Sequence, residues 1–223
     1  MAQRSVDQST LKLYFHPLAS FCWKALIALY ENDTPFEPHI VDLADATSRA
    51  AFIAIWPIGK FPVLRDDARG ETIPESSIII EYLALHYPGA TQLVPVAPDL
   101  ARKARLHDRV FDLYVQEPMQ KIVTDRLRPA GRNDPFGVEQ AGTLLQTSLG
   151  MIDREMETKT WAVGHAFSLA DCAAAPALFY ADKVMPFGAT HRNVAAYLDR
   201  LKQRPSFARV LDEAAPYFRF FPQ

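Results

Sequence analysis

Cysteine is nearly missing: Cys22 and Cys172 are the only two in 223 residues, with no Cys-x-x-Cys pair and no cysteine–histidine cluster. That removes a disulfide framework and a structural zinc site, leaves no metal to be expected, and places the chain in a reducing compartment, the cytoplasm. No apolar run reaches the ~20 residues that a membrane span needs. Basic runs interleaved with aromatics are absent too, and the net charge is only −2, so neither a nucleic acid nor a membrane surface is an expected partner. Residues 1–10 lack the apolar stretch of a signal peptide and are expected to form a disordered tail. No internal repeat or low-complexity tract occurs. What is present is 49% hydrophobic and 22% charged residues, enough for one large or two modest cores.

The chain changes character near residue 88. Before it, strand and helix patterns alternate: strand 11–15, helix 20–32, strand 36–43, short helix 48–55, a hairpin whose turn is 65–70, and a helix from Ser76. This is a βαβ unit followed by ββα. Residues 88–98 are a proline-rich connector that no unbroken helix could cross. Beyond it the pattern is helical: 99 to about 128 with a bend at Pro118, then 135–157, 168–184, 193–203 and 206–214. The expected division is a tail at 1–10, an α/β domain at 11–87, a linker at 88–98 and an all-helical domain at 99–223.

Three segments carry chemistry. In Trp56–Ser76, Pro62 at a strand's start leaves the Phe61 main chain free to pair with an extended ligand. A minority of X–Pro bonds are cis, and this one is a candidate. Glu75 and Ser76 open the next helix, where free N–H groups and the helix dipole favour anions; the plainer reading is that they only cap it. In Tyr14–Lys24 the chain passes from strand to helix, so Ser20 and Cys22 fall in a first helical turn that favours a thiolate. Either Cys22 is itself reactive, or Ser20 steadies a thiolate that a ligand brings, or Ser20 is a cap and Cys22 a core filler. Tyr14 reads as core before catalyst, and His16 has no visible partner. In the third segment, Ser168-Leu-Ala-Asp171 is a capping-box pattern ahead of an apolar helix.

The order βαβ-ββα, Pro57-x-Gly-Lys60-Phe-Pro62-Val-Leu, Pro74-Glu75-Ser76, the proline-rich linker and Ser168-Leu-Ala-Asp171 together resemble the cytosolic glutathione transferases, from about Leu11 to Pro205. The resemblance implies a thioredoxin-like α/β N-terminal domain with a mixed four-stranded sheet, followed by an all-α helical bundle. It implies glutathione as co-substrate, with a cis Pro62, the Phe61 main chain on the cysteinyl backbone and Lys60 beside the glycyl carboxylate. Glu75 and Ser76 would hold the γ-glutamyl ends, and Asp171 would serve folding.

At the catalytic position the chain departs from the common patterns. The serine of many members falls at Ala19, which can act only through its main-chain N–H, and the cysteine of bacterial beta-type members falls at Ser20. Ser20 is the first choice, Cys22 the second and Tyr14 the third. The implied reaction joins the glutathione thiolate to a small hydrophobic electrophile held by Leu18, Phe111, Tyr114, Val115, Met119 and Trp161. A thiol–disulfide reductase using Cys22 and a non-catalytic binding protein are the alternatives. A homodimer is the expected assembly.

Overall fold

The structure, a computed structural model, describes residues 10–222; apart from Thr10, the expected tail lies outside them. Leu11, Leu13 and Phe15 alternate with Lys12 and Tyr14 along β1 (Leu11–Phe15), so the strand gives one face to each side of the sheet. It pairs in parallel with β2 (Glu37–Ile40) and antiparallel with β3 (Val63–Asp66), and β3 pairs antiparallel with β4 (Glu71–Pro74). The order is β2-β1-β3-β4, a mixed four-stranded sheet as expected. Helices α1 (Ser20–Glu31) and α3 (Ser76–His86) pack together on the Leu13 face. On the other face α2 (Ala46–Ile55) lays Phe52 over Val41 and Val63. Strand β2 is shorter than expected. Beyond it, Asp42 accepts the Ala44 N–H at 2.8 Å and Asp45 caps α2 through the Ser48 N–H at 2.7 Å, so these side chains draw the backbone out of the sheet.

The second half is helical: α4 (Pro98–Val110), a π-helical turn at Phe111–Gln116, α5 (Glu117–Arg126), α6 (Pro135–Met156), α7 (Leu169–Val184), α8 (Arg192–Lys202) and α9 (Pro205–Ala214). The bend expected at Pro118 takes the form of that π turn just ahead of it. Proline lacks the N–H that an α-turn would use, and the wider turn accommodates the loss. Helix α7 is buried almost all round, with Cys172, Ala174 and Leu178 fully enclosed.

The two halves share one core. Trp23 of α1 packs on Phe179 and Tyr180 of α7, with ring centroids 5.3 and 4.8 Å apart. Its indole N–H donates to the Pro17 carbonyl at 2.6 Å, and the Tyr180 hydroxyl donates to the Leu18 carbonyl at 2.8 Å. Together these bonds fix the β1–α1 turn from both sides. Among the described residues no helix is long and apolar enough to cross a membrane.

Candidate active site

Two cavities open where the β1–α1 turn, the Phe61 segment and the α4–α5 helix meet. The larger, ≈ 670 Å³, is walled by Leu18, Ala19, Ser20 and Phe21 on one side and by Gln116, Met119, Val123 and Leu127 on the other. The smaller, ≈ 190 Å³, is bounded by Pro62, Glu75 and Ser76 and by Arg109, Asp112 and Glu117. Lys60, Phe61, Phe21 and Glu117 border both.

The turn into α1 presents Ser20 as its first helical residue, with Ala19 as the N-cap. No described residue engages the Ser20 hydroxyl, nor the Ser20 and Phe21 N–H groups, so three donors at this helix start are open to a ligand. The Ala19 N–H, assigned a contact from the sequence, already donates to the His16 carbonyl at 3.0 Å, so the open N–H groups are the two that follow. Gly59, at φ +67°, turns the chain so that Lys60 stands exposed between the cavities, with no ion-pair partner among the described residues. The Phe61–Pro62 peptide is cis, and the Phe61 N–H has no hydrogen-bond partner among the described residues.

Glu75 is strained. Its φ of +69° and ψ of 119° are costly for a side chain larger than glycine, and its carboxylate makes no capping bond to α3. The plain capping account therefore lacks its defining hydrogen bond. A strained, exposed carboxylate beside the free first turn of α3 and the buried Ser76 is suited to a ligand's ammonium and carboxylate. Glu75→Gly is expected to raise the stability of the protein by roughly 1 kcal/mol by relieving the strain, which denaturant titration checks.

Several expected site residues lie elsewhere. Cys22 is fully enclosed and borders neither cavity; burial pushes its thiol well above the ordinary range, against the opposing His16 N–H 3.5 Å from its sulfur. A neutral, inaccessible thiol is a core filler. Tyr14 faces α2, its ring stacked on His39 at 4.8 Å, and reaches neither cavity because the strand's alternation turns it to the other side of the sheet. Phe111 and Val115 are enclosed in the core and Tyr114 is exposed on the outer surface, because the π turn changes the helical register on which their common face was reckoned. Trp161 sits apart in a tight loop, paired with Gly164 and packed edge-on against Phe167 at 5.3 Å. Leu18 and Met119 do line the larger cavity.

Missed from the sequence were the helical-half residues Arg109, Asp112, Gln116 and Glu117. Asp112 and Arg109 belong to an ionic cluster in which Lys24, Asp108 and Asp112 are buried and Arg109 is half exposed. The Lys24 ammonium, 1% exposed, meets Asp108, reaches Asp112 at 2.8 Å and donates to the Ser77 hydroxyl at 2.8 Å. Arg109 reaches Asp108 at 2.8 Å and Asp112 at 2.6 Å. Burial holds the Asp112 carboxyl above its usual range, opposed by Lys24 and reinforced by Asp108. A lysine inside the apolar run Cys22-Trp-Lys-Ala-Leu-Ile27 was the available signal, since a buried ammonium must find acidic partners.

A mixed four-stranded α/β half sharing a core with a helical bundle, with open thiolate-favouring donors at their junction, defines the general class. The comparisons narrow it. Residues 13–91 match the glutathione S-transferase N-terminal domain and residues 123–205 the C-terminal domain. The chain is 24% identical to glutathione S-transferase GstB of Escherichia coli K12 over 84% of this chain and 91% of that one. A glutathione S-transferase from Methylobacterium radiotolerans, solved in complex with glutathione sulfonate, is 30% identical, with a TM-score of 0.78 over 90% of this chain and 93% of that one. One from Methylobacillus flagellatus, solved with glutathione bound, is 25% identical, with a TM-score of 0.83 over 90% and 98%. The chain belongs to the cytosolic glutathione S-transferase family.

Proposed function

We propose that this protein is a glutathione transferase that joins the glutathione sulfur to apolar electrophiles, with Ser20 governing the sulfur. The observation that carries the reading is the set of unengaged donors at the start of α1, facing a large and mainly apolar cavity. Glutathione would lie with its γ-glutamyl end at Glu75 and Ser76, its cysteinyl backbone along Phe61 and its glycyl carboxylate at Lys60. The Ser20 O–H and the N–H groups of Ser20 and Phe21 then donate to the sulfur. A free thiol has a pKa near ~8.5, so such donors raise the thiolate fraction at neutral pH while the proton passes to water. The thiolate attacks carbon, a C–S bond forms, and the leaving group departs with its bonding pair.

The reductase alternative would need an accessible thiol, and Cys22 is enclosed. A homodimer is part of the same proposal. Ile78 and Leu85 on α3 and Leu106 and Leu113 on the adjoining α4 segment are exposed, and the Glu81–Arg105 ion pair, at 2.8 Å, joins the two helices between them. A two-fold partner would cover that apolar strip.

Glutathione titration followed by thiolate absorbance tests the reading. Ser20→Ala is expected to raise the pKa of the bound thiol by about 1–2 units and to lower kcat/KM at neutral pH about 10–100-fold, while Cys22→Ala leaves both unchanged. No glutathione binding by the wild-type protein would sink the proposal. An unshifted pKa in Ser20→Ala would pass the role to the main-chain donors.

A further inference from the structure

His16 is half-buried beside the candidate site without lining either cavity, and the main chain that leads to Ser20 folds around it. Its ring Nδ1 accepts the Leu18 N–H at 3.2 Å, the same two-residue reach by which an Asn or Asp side chain closes a turn on its own backbone. Its carbonyl accepts the Ala19 N–H at 3.0 Å. The other main-chain groups of the turn are committed as well. Pro17 has no N–H and its carbonyl takes the Trp23 indole N–H, the Leu18 carbonyl takes the Tyr180 hydroxyl, and the Ala19 carbonyl takes the Cys22 and Trp23 N–H groups at 2.9 and 3.1 Å. Open main-chain donors therefore begin at Ser20. The His16 ring also lies nearly parallel to the Phe61 ring, at 17° with centroids 5.8 Å apart, so it packs against the segment that carries Lys60 and Pro62. Burial holds the imidazole pKa below its ordinary value, against the opposing Asp42 carboxylate, which keeps Nδ1 an acceptor at neutral pH.

We propose that His16 is a positioning residue for the thiolate site. By holding the Leu18 N–H it sets the direction in which the Ser20 hydroxyl and the Ser20 and Phe21 N–H groups point. Hydrogen bonds weaken steeply as their angle departs from linear, and those to a charged acceptor are the strong ones, so a small turn of this helix start is felt mainly at the sulfur. Loss of the His16 acceptor misaligns these donors without removing any group assigned to the two ends of glutathione. The inference rests on the transferase reading and gives the imidazole no proton to transfer.

Three variants separate the acceptor from the ring. His16→Phe keeps a ring against Phe61 and removes the acceptor, His16→Leu removes both, and His16→Asn loses the ring but restores an acceptor within reach of the Leu18 N–H. Glutathione titration followed by thiolate absorbance reads the pKa of the bound thiol. Calorimetry with S-hexylglutathione, which has no thiol proton, reads the rest of the glutathione site. His16→Phe and His16→Leu are expected to raise the pKa of the bound thiol by about 1 unit, while binding S-hexylglutathione within about twofold of the wild type. His16→Asn should bring the pKa back to within about 0.3 unit of the wild type. An unshifted pKa in both acceptor-free variants, or a His16→Asn as impaired as they are, overturns the assignment and leaves the transferase reading intact. So does an affinity for S-hexylglutathione that falls in step with the pKa shift, because general damage to the fold would do the same. Failure of the wild type to bind glutathione overturns both.

Discussion

Asp171→Ala is expected to lower the unfolding free energy by roughly 4 kcal/mol, the loss predicted when several buried donors are orphaned together. The carboxylate is wholly enclosed. It accepts from the Ser168 N–H at 2.9 Å, the Ser168 hydroxyl at 3.0 Å, the Ala162 N–H at 2.8 Å and the Tyr197 hydroxyl at 2.6 Å. Burial raises its pKa, and those four bonds oppose the rise. Alanine would leave all four donors without this acceptor. Asp171→Asn, which keeps the shape but points an amide N–H at neighbours that are themselves donors, should cost about half as much. Denaturant unfolding would show a lower midpoint at an unchanged m-value. A loss below about 1 kcal/mol would reduce this group to an ordinary helix cap.

That carboxylate shows how far the sequence could be read. Ser168 and Asp171 stand three apart ahead of an apolar run, and the local rule for a capping box identified both. Ala162 and Tyr197 could not be foreseen as partners, because they come from a loop and from α8, and only the packed bundle brings them together. The same division runs through the candidate site. Lys60, Phe61, Pro62, Glu75 and Ser76 lie within one short stretch whose local geometry confines them to one place, and they gather around the smaller cavity. Helical periodicity failed where the helix itself departed from its usual period. The π turn at Phe111–Gln116 buried Phe111 and Val115 and left Gln116 on the cavity wall. In the strand, Tyr14 carried a plausible chemical group on a residue whose parity turned it to the far side of the sheet.

Lys24→Met is expected to cost about 3–5 kcal/mol, as is usual when one member of a buried ion pair is removed. With lysine present, two cations and two carboxylates balance. Without it, Asp108 and Asp112 face only Arg109, whose side chain is 49% exposed. The deficit should depend on pH. Asp112 binds its proton more readily in the folded protein than in the unfolded chain, and losing the Lys24 charge strengthens that tendency. The folded variant then holds more protons, so its stability relative to the wild type rises as pH falls toward the Asp112 pKa and is lowest at neutral pH. Adding Asp112→Asn to Lys24→Met should recover part of the loss, through a coupling of about 1–3 kcal/mol in a double-mutant cycle. Because Lys24 lies on α1 while Ser77, Asp108 and Asp112 lie on α3 and the α4 segment, the cluster ties the sheet half to the helical half beside Glu75 and Ser76. Glutathione affinity should fall with stability in Lys24→Met and return with it in the double variant. Recovery of stability without recovery of affinity would show that the Asp112 charge acts on the ligand directly.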